Sequence, residues 1–496
     1  MKRRLAASPA ASALLLALAF APIGIPAAAV ELDPVSTRHE LALPDGALAY
    51  RAVAETLPVR DAAGEATAQV AVISYLAEGA EPGTRPVTFV FNGGPGASSA
   101  YLHLGALGPR VLSTGPDGGV PAPPARLRDN PDTWLAFTDL VFIDPVGAGY
   151  SRATDPGSDA GKAFWSVSGD RDSLAEVIRL WLTRNARWQS PKFLAGESYG
   201  GFRAALVART LLDEQGVALN GLVLISPALE FSTITTGPAD VLPWALMLPS
   251  MVASARAQGR GEAGPPIEEV ERWALTDYLT GIAAIGPSGP GPASEVVDRV
   301  AGLLGLERDL VRRYHGRVPA WVFAERLLGD TGYALSLYDG AQAGPDPQPG
   351  RSGPDPQLEA TRAPFSTAYN AYVRNELQLD TEVPFRLLDE RPSRNWNWEG
   401  ARGGPGRMDG AMDDLAEVMA LTPGIGVLVV HGRTDMVTPY MASRWLLDRI
   451  DLPEEIRAHA SLEVLDGGHM MYLIPEQRKA LGAAAAEFYR ERTPVS

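Results

Sequence analysis

Three short stretches of this chain hold residue types that together can open an acyl bond. Gly196-Glu197-Ser198-Tyr199-Gly200 sets a serine between two glycines, Asn92-Gly93-Gly94-Pro95-Gly96 is a glycine-rich turn, and Asp435 and His469 stand late in the sequence. A serine hydroxyl is a weak nucleophile until a base takes its proton, an acid holds that base in one tautomer, and N–H donors receive the developing oxyanion. Ser198, His469 and Asp435 fill the first three roles. The N–H of Tyr199, just past the serine, and the N–H of Gly94 are the candidate oxyanion donors, each such donor being worth about 3 to 4 kcal/mol in the transition state. Each piece alone is weak. A chain with 51 glycines produces Gly-x-Ser-x-Gly by chance now and then, Asn-Gly-Gly-Pro also reads as a plain loop, and a lone histidine is more often structural. Asp435 has an alternative role in an ion pair with Arg433 or Arg444. Asp466 is a rival acid, disfavoured because it lies only three residues from the base it would have to orient.

The elements that must position these residues raise the signal. Pro86 to Phe91 and Asp139 to Asp144 are compact β-branched and aromatic runs that suit strands buried on both faces. Leu174, Val177, Ile178, Trp181 and Leu182 recur at helical spacing, then Lys192-Phe193-Leu194-Ala195 leads straight into the Ser198 turn, and Ala204 to Leu212 is helical. Strand, sharp turn and helix are the context a nucleophile elbow requires, and the order Ser, Asp, His is that of an α/β-hydrolase. Further strands are expected at Gly221 to Ser226, Ile425 to Val430 and Leu462 to Leu465. The last two each end just before a candidate catalytic residue, where open α/β sheets place their sites. Alternating segments with a turn at Asp45-Gly46, followed by Val70 to Tyr75, predict antiparallel edge strands. From Phe231 to Gly424 the pattern is helical, as in Ile267, Val270, Trp273, Ala274 and Tyr278, or in Val296, Val297, Val300, Leu303 and Leu304. Pro/Gly-rich loops interrupt it at Gly286 to Pro292 and Gly344 to Gln357. The expected architecture is an α/β-hydrolase fold: a core of residues 30–231 and 425–496, split by a mainly helical lid at 232–424.

Lys2, Arg3 and Arg4, an apolar run from Ala10 to Ala21 and Ala27-Ala28-Ala29 give residues 1–29 the form of a secretory signal peptide, too short in its apolar part to span a bilayer comfortably. An exported protein with no stable membrane insertion after cleavage is expected. Zero cysteines exclude disulfides, thiolate metal sites and a cysteine nucleophile. A formal charge of −15 argues against nucleic acid as a partner. No metal or organic cofactor is implied.

Asn92 to Ser99, Asp144-Pro145-Val146-Gly147-Ala148-Gly149-Tyr150-Ser151, Gly196 to Gly201, Asp435 and Gly468-His469-Met470 resemble the successive signatures of the serine carboxypeptidase family, peptidase family S10, and are most similar to its bacterial secreted branch. They extend over nearly all of the chain beyond the leader. The resemblance implies an α/β-hydrolase core with an inserted helical region and removal of residues from peptide C-termini. It also implies Ser198, Asp435 and His469 as the triad, and Gly94 and Tyr199 as oxyanion donors. Asn92 and Glu197, with the Gly93 N–H, match residues that bind the substrate's terminal carboxylate. Glu197 is chemically coherent in that role: two facing carboxylates repel unless one carries a proton, which biases binding toward acid pH. Two departures stand out. Ala97 occupies a position where the family commonly has cysteine. Leu104-Gly105-Ala106-Leu107-Gly108-Pro109 has no acid where relatives with acid optima place a second glutamate.

The expectation is therefore an exported serine-type carboxypeptidase acting on peptides with a free C-terminus. Its rivals are an esterase or acyltransferase on the same scaffold, since triad and oxyanion hole specify only acyl transfer, and a non-catalytic binding protein on that fold. Trp244, Trp273, Trp396, Trp398 and Tyr101 are candidate side-chain contacts, most of them expected in the core.

Overall fold

The computed structural model describes residues 31–44, 46–155, 160–237, 240–284, 294–350, 353–398 and 410–493. The signal-peptide segment 1–29 and the Gly286 to Pro292 loop lie outside them. The alternating and the apolar runs together form nine strands of one sheet: β1 (Val35–Leu43), β2 (Gly46–Arg60), β3 (Ala66–Ala77), β4 (Val87–Phe91), β5 (Asp139–Ile143), β6 (Lys192–Glu197), β7 (Gly221–Ile225), β8 (Gly426–Gly432) and β9 (Ala460–Leu465). Their order is β1-β2-β3-β5-β4-β6-β7-β8-β9, and a short strand at Arg152–Ala153 pairs with β3 as the tenth. β1, β2 and β3 pair antiparallel, and β3 meets β5 antiparallel. From β5 onward every pairing is parallel. The strand order reverses around β4, whose neighbours are β5 and β6, and that switch point is where an open parallel sheet forms a crevice at its carboxyl edge. This is the α/β-hydrolase arrangement.

Alternate residues of the central strands feed two cores, as a pleat with period two demands. Phe193, Ala195, Val223, Ile225, Leu428 and Val430 face one layer, which the C-terminal helix Pro475–Arg492 covers with Leu481, Ala485, Phe488 and Tyr489. Leu194, Leu222, Leu224, Val427 and Val429 face the other, under the helices Val167–Arg184 and Tyr199–Gln215. The first of these begins earlier than the Leu174 periodicity suggests, because the Ser166 side chain accepts from the Gly169 N–H at 3.0 Å and caps it.

Between β7 and β8 the chain divides in two. Described residues between Ala245 and Leu335 build a helical cluster with an apolar core that Met436, from the loop after β8, joins. The later part returns to the sheet: Phe365, Tyr369 and Tyr372 of the Pro356–Asn375 helix join one layer, and Trp396, Leu415 and Met419 the other. The helical pattern did not anticipate a small hairpin, Tyr333–Leu335 against Ala343–Pro345, within this region. Part of the Gly344 to Gln357 loop is thereby ordered. Among the described residues no helix is long and apolar enough to cross a membrane.

Candidate active site

The serine at the end of β6 sits in a backbone conformation that an L-residue rarely adopts, with φ 60° and ψ −126°. Such strain persists only where surroundings fix it. Here they are glycines in close contact. A Cβ on Gly196 would lie 2.1 Å from the Gly200 carbonyl oxygen, and one on Gly200 would lie 2.7 Å from that of Phe91. The Gly-x-Ser-x-Gly spacing thus lets β6, the turn and the helix starting at Tyr199 pack against the end of β4. Ser198 is held by its N–H to Ile225 O (3.0 Å) and by its carbonyl, which accepts from Gly201 and Ala228. Its side chain retains partial solvent access.

The glycine loop lies directly on this turn. A Cβ on Gly93 would stand 2.6 Å from the Tyr199 nitrogen and 2.8 Å from the Glu197 carbonyl oxygen, both backbone atoms. Gly94 follows at φ +100°. The loop's outer end is tied down by buried Asp144, whose Oδ1 accepts from Ser99 N–H (2.8 Å) and Ser99 Oγ–H (2.9 Å). Gly93→Ala is expected to destabilise the protein by roughly 1–3 kcal/mol, because neither backbone neighbour can yield without moving the elbow; urea unfolding of the variant against the wild type measures it.

Asp435, three residues beyond β8, is fully buried, and both of its oxygens are engaged. Oδ1 accepts from the N–H groups of Val437 (2.8 Å) and Thr438 (2.9 Å), while Oδ2 faces Thr438 Oγ1 (2.8 Å) and His469 Nδ1 (2.8 Å). Burial by itself lowers the His469 imidazole. The charge and hydrogen bond of Asp435, assisted by the charge of Glu197, outweigh burial and leave the imidazole above its ordinary value. The rival roles are occupied elsewhere: Asp466 is exposed and lies 3.9 Å from Arg433, and Arg444 pairs with Glu271 at 2.6 Å. Among the described residues no other histidine pairs with a carboxylate. Buried His431 bonds Ser443, and buried His103 bonds Tyr75 and stacks on Phe142. No hydrogen bond joins the Ser198 hydroxyl to His469; the end of β7 touches both loops instead, Ile225 O accepting from Ser198 N–H (3.0 Å) and Ser226 Oγ–H donating to His469 O (3.0 Å). Catalytic hydrogen bonds are commonly long in unliganded enzymes and tighten with substrate.

Glu197 and Asn92 are bonded to each other beside the elbow. Asn92 accepts the Leu102 N–H at its Oδ1 (3.0 Å), which turns its amide nitrogen toward Glu197 Oε2. Tyr472 O–H donates to the other oxygen, Oε1, at 2.8 Å. Burial pushes the Glu197 carboxyl up to about 7, against the lowering effect of His469 and of the Tyr472 hydrogen bond.

Sequence reasoning missed several supports. Thr438 lies against Asp435 and His469 at once. Arg203, buried and paired with Asp170 at 2.6 Å, donates to the Asn92 carbonyl from beneath. Residues 336–342, from the insertion, clasp both late loops: Leu337 O accepts from Met436 N–H (3.0 Å), Tyr338 O from His469 N–H, and Asp339 Oδ1 from Thr434 Oγ–H (2.6 Å), while Gly340 N–H donates to Thr434 O. The Tyr338 ring stands edge-on to His469 at 5.1 Å. A Cβ on Gly468 would meet the Tyr338 carbonyl oxygen at 2.0 Å, which explains the glycine before the histidine. Of the aromatic candidates, Trp273 is buried in the insertion's own core, and Trp244 packs against it. Trp396 and Trp398 pack on Tyr199, and Tyr101 lies against Phe365.

Residues 74–239, which carry the glycine loop and the elbow, match the model of the serine carboxypeptidase family, Peptidase S10. The match is to the serine carboxypeptidases. Curated relatives agree over the same kind of span. Serine carboxypeptidase-like 44 of Arabidopsis thaliana is 32% identical over 139 residues, covering 27% of this chain and 26% of that protein. The pheromone-processing carboxypeptidase kex1 of Sclerotinia sclerotiorum is 28% identical over 124 residues, covering 25% of this chain and 18% of its own. The chain thus aligns with about a quarter or less of these relatives' length. A solved structure, the prohormone-processing carboxypeptidase Kex1Δp of Saccharomyces cerevisiae, shares the fold over 89% of this chain and 91% of its own, with a TM-score of 0.57 and 15% identity. Asp435 and His469 lie outside the family-matched segment.

Proposed function

We propose that the protein is an exported serine-type carboxypeptidase that hydrolyses the C-terminal peptide bond of peptides through an acyl-enzyme. His469 takes the Ser198 proton as Oγ attacks the scissile carbonyl carbon, and the N–H groups of Gly94 and Tyr199 receive the oxyanion. The imidazolium then protonates the leaving amine, and a water activated by the same base releases the acyl group. Asp435 holds Nδ1–H, so Nε2 is the nitrogen that accepts from Ser198. Within residues 232–424, the helical cluster between Ala245 and Leu335 serves as the lid that shapes side-chain preference. Export rests on the leader pattern of residues 1–29, and the place in a bacterial secreted branch on the resemblance of the motifs alone, the relatives named above being eukaryotic.

The observation that carries the reading is the buried Asn92–Glu197 pair beside the nucleophile. Glu197 held near 7 by burial carries its proton over the acid range, so together with the Asn92 amide and the Gly93 N–H it offers donors to a terminal carboxylate. A protonated Glu197 also withdraws its own smaller contribution to the charge on His469, while that of Asp435 remains. The sign follows directly: the free-acid preference is present below about pH 7 and fades as Glu197 ionises above it. A peptide with a free C-terminus is expected to be cleaved at least tenfold faster in kcat/KM than its amide, from loss of one or more charge-assisted hydrogen bonds. Equal values for the two peptides move the assignment to an esterase or acyltransferase.

A further inference from the structure

Glu197 faces groups from several loops at the sheet's carboxyl edge. Asn92 comes from the loop after β4, Tyr101 from the following helical turn, Asp435 from the loop after β8, His469 and Tyr472 from the loop after β9, and Tyr338 from the insertion. The Arg203 guanidinium lies below, engaged by Asp170 and the Asn92 carbonyl. Of these, Asn92 and Tyr472 are the side chains that hydrogen-bond the Glu197 oxygens, one on each. Among the described residues no second carboxyl is hydrogen-bonded to Glu197. Tyr472 is fully buried, and its ring fills the space over Gly105, where a Cβ would stand 2.7 Å from Cε2. Its loop is fixed by Leu473 N–H to Met470 O (2.9 Å) and by Thr114 Oγ–H to Leu473 O (2.7 Å).

We propose that Tyr472 is a positioning residue that governs the protonation of Glu197, and through it the upper pH limit at which peptides with a free C-terminus are bound. The proposal rests on the reading that Glu197 faces the substrate carboxylate. The physical step is short. Burial, and then the neighbouring Glu197 charge, drive the phenol well above its ordinary range, so it keeps its proton and acts as donor toward Oε1. A donor aimed at a carboxylate favours the ionised form. Asn92 cannot substitute for it, because its amide is turned to Oε2 by the Leu102 N–H. Tyr472 therefore opposes the burial that keeps Glu197 protonated, and it restricts free-acid binding to lower pH than the same pocket would allow without the hydroxyl.

Tyr472→Phe removes the donor and keeps the ring over Gly105. The alkaline limb of kcat/KM for a free-acid peptide should move upward by about one pH unit, the effect expected from one hydrogen bond to a charged group, with KM rather than kcat carrying the change. In a Glu197→Gln background the same substitution should leave the limb where Glu197→Gln alone puts it, because no carboxyl remains to titrate. Equal labelling by a fluorophosphonate probe at neutral pH establishes that the variant site is intact. An unmoved limb in Tyr472→Phe, or an equal shift with and without Glu197, overturns the proposal. If the wild type shows no preference for the free acid over the amide, it is the carboxypeptidase reading that fails; if the preference holds and the limb stays, the failure belongs to Tyr472 alone.

Discussion

Ser198→Ala is expected to lower kcat by about a millionfold, with His469→Ala close to it, since loss of either member of such a unit costs nearly as much as loss of the whole. The fold should survive. Serine and alanine meet the same backbone strain at φ 60°, and the bonds that hold residue 198 run through its N–H and carbonyl. A fluorophosphonate probe should label the wild type and leave Ser198→Ala unlabelled. Labelling of both proteins would place the nucleophile elsewhere.

The second large effect belongs to the acid. Asp435→Asn must present one oxygen and one amide nitrogen where two oxygens stood. The N–H groups of Val437 and Thr438 both point at Oδ1, so the retained oxygen is fixed there. The new amide then faces His469 Nδ1, which can no longer donate and must accept. The imidazole proton moves to Nε2, the nitrogen needed as base, and kcat should fall about ten-thousandfold with little loss of folded protein. Asp466→Asn should change little, since that carboxylate is exposed and lies near Arg433. Greater damage from Asp466→Asn than from Asp435→Asn, measured as kcat on one peptide, reverses the assignment.

What the sequence revealed, and what it hid, divides along physical lines. Strands β4 to β8 were legible because burial on both faces forces continuous apolar runs, whereas β9 mixes half-buried and exposed residues, and the candidate site residues drew notice because they follow predicted strands. The helix after Ser198 was predicted from Ala204, yet it starts at Tyr199. The small size of Gly200 and Gly201 at its start is demanded by Phe91, Asn92 and Pro227 packed against them. The hairpin at Tyr333–Leu335 was illegible because three-residue strands carry no periodicity. Thr438 and Tyr472 are single polar residues with no pattern around them, and Tyr472 meets a partner 275 residues earlier in the chain. The missing second glutamate was visible from sequence. That a phenol bonds Glu197 instead required coordinates.

The clasp at residues 336–342 bears on how such an enzyme changes its substrates. Regions that shape a pocket are usually free to drift, because they sit apart from the machinery. Here the segment that carries Tyr338 and Asp339 is anchored at one end by Asp355, which accepts from Ser336 Oγ–H and Leu337 N–H, and holds the loops of the proposed base and acid at the other. Pocket and machinery therefore share a spine. New selectivity is reached most cheaply through the helices of Ala245 to Leu335, which supply most of their own apolar core, and grafts that replace residues 336–342 should lose turnover before they alter preference.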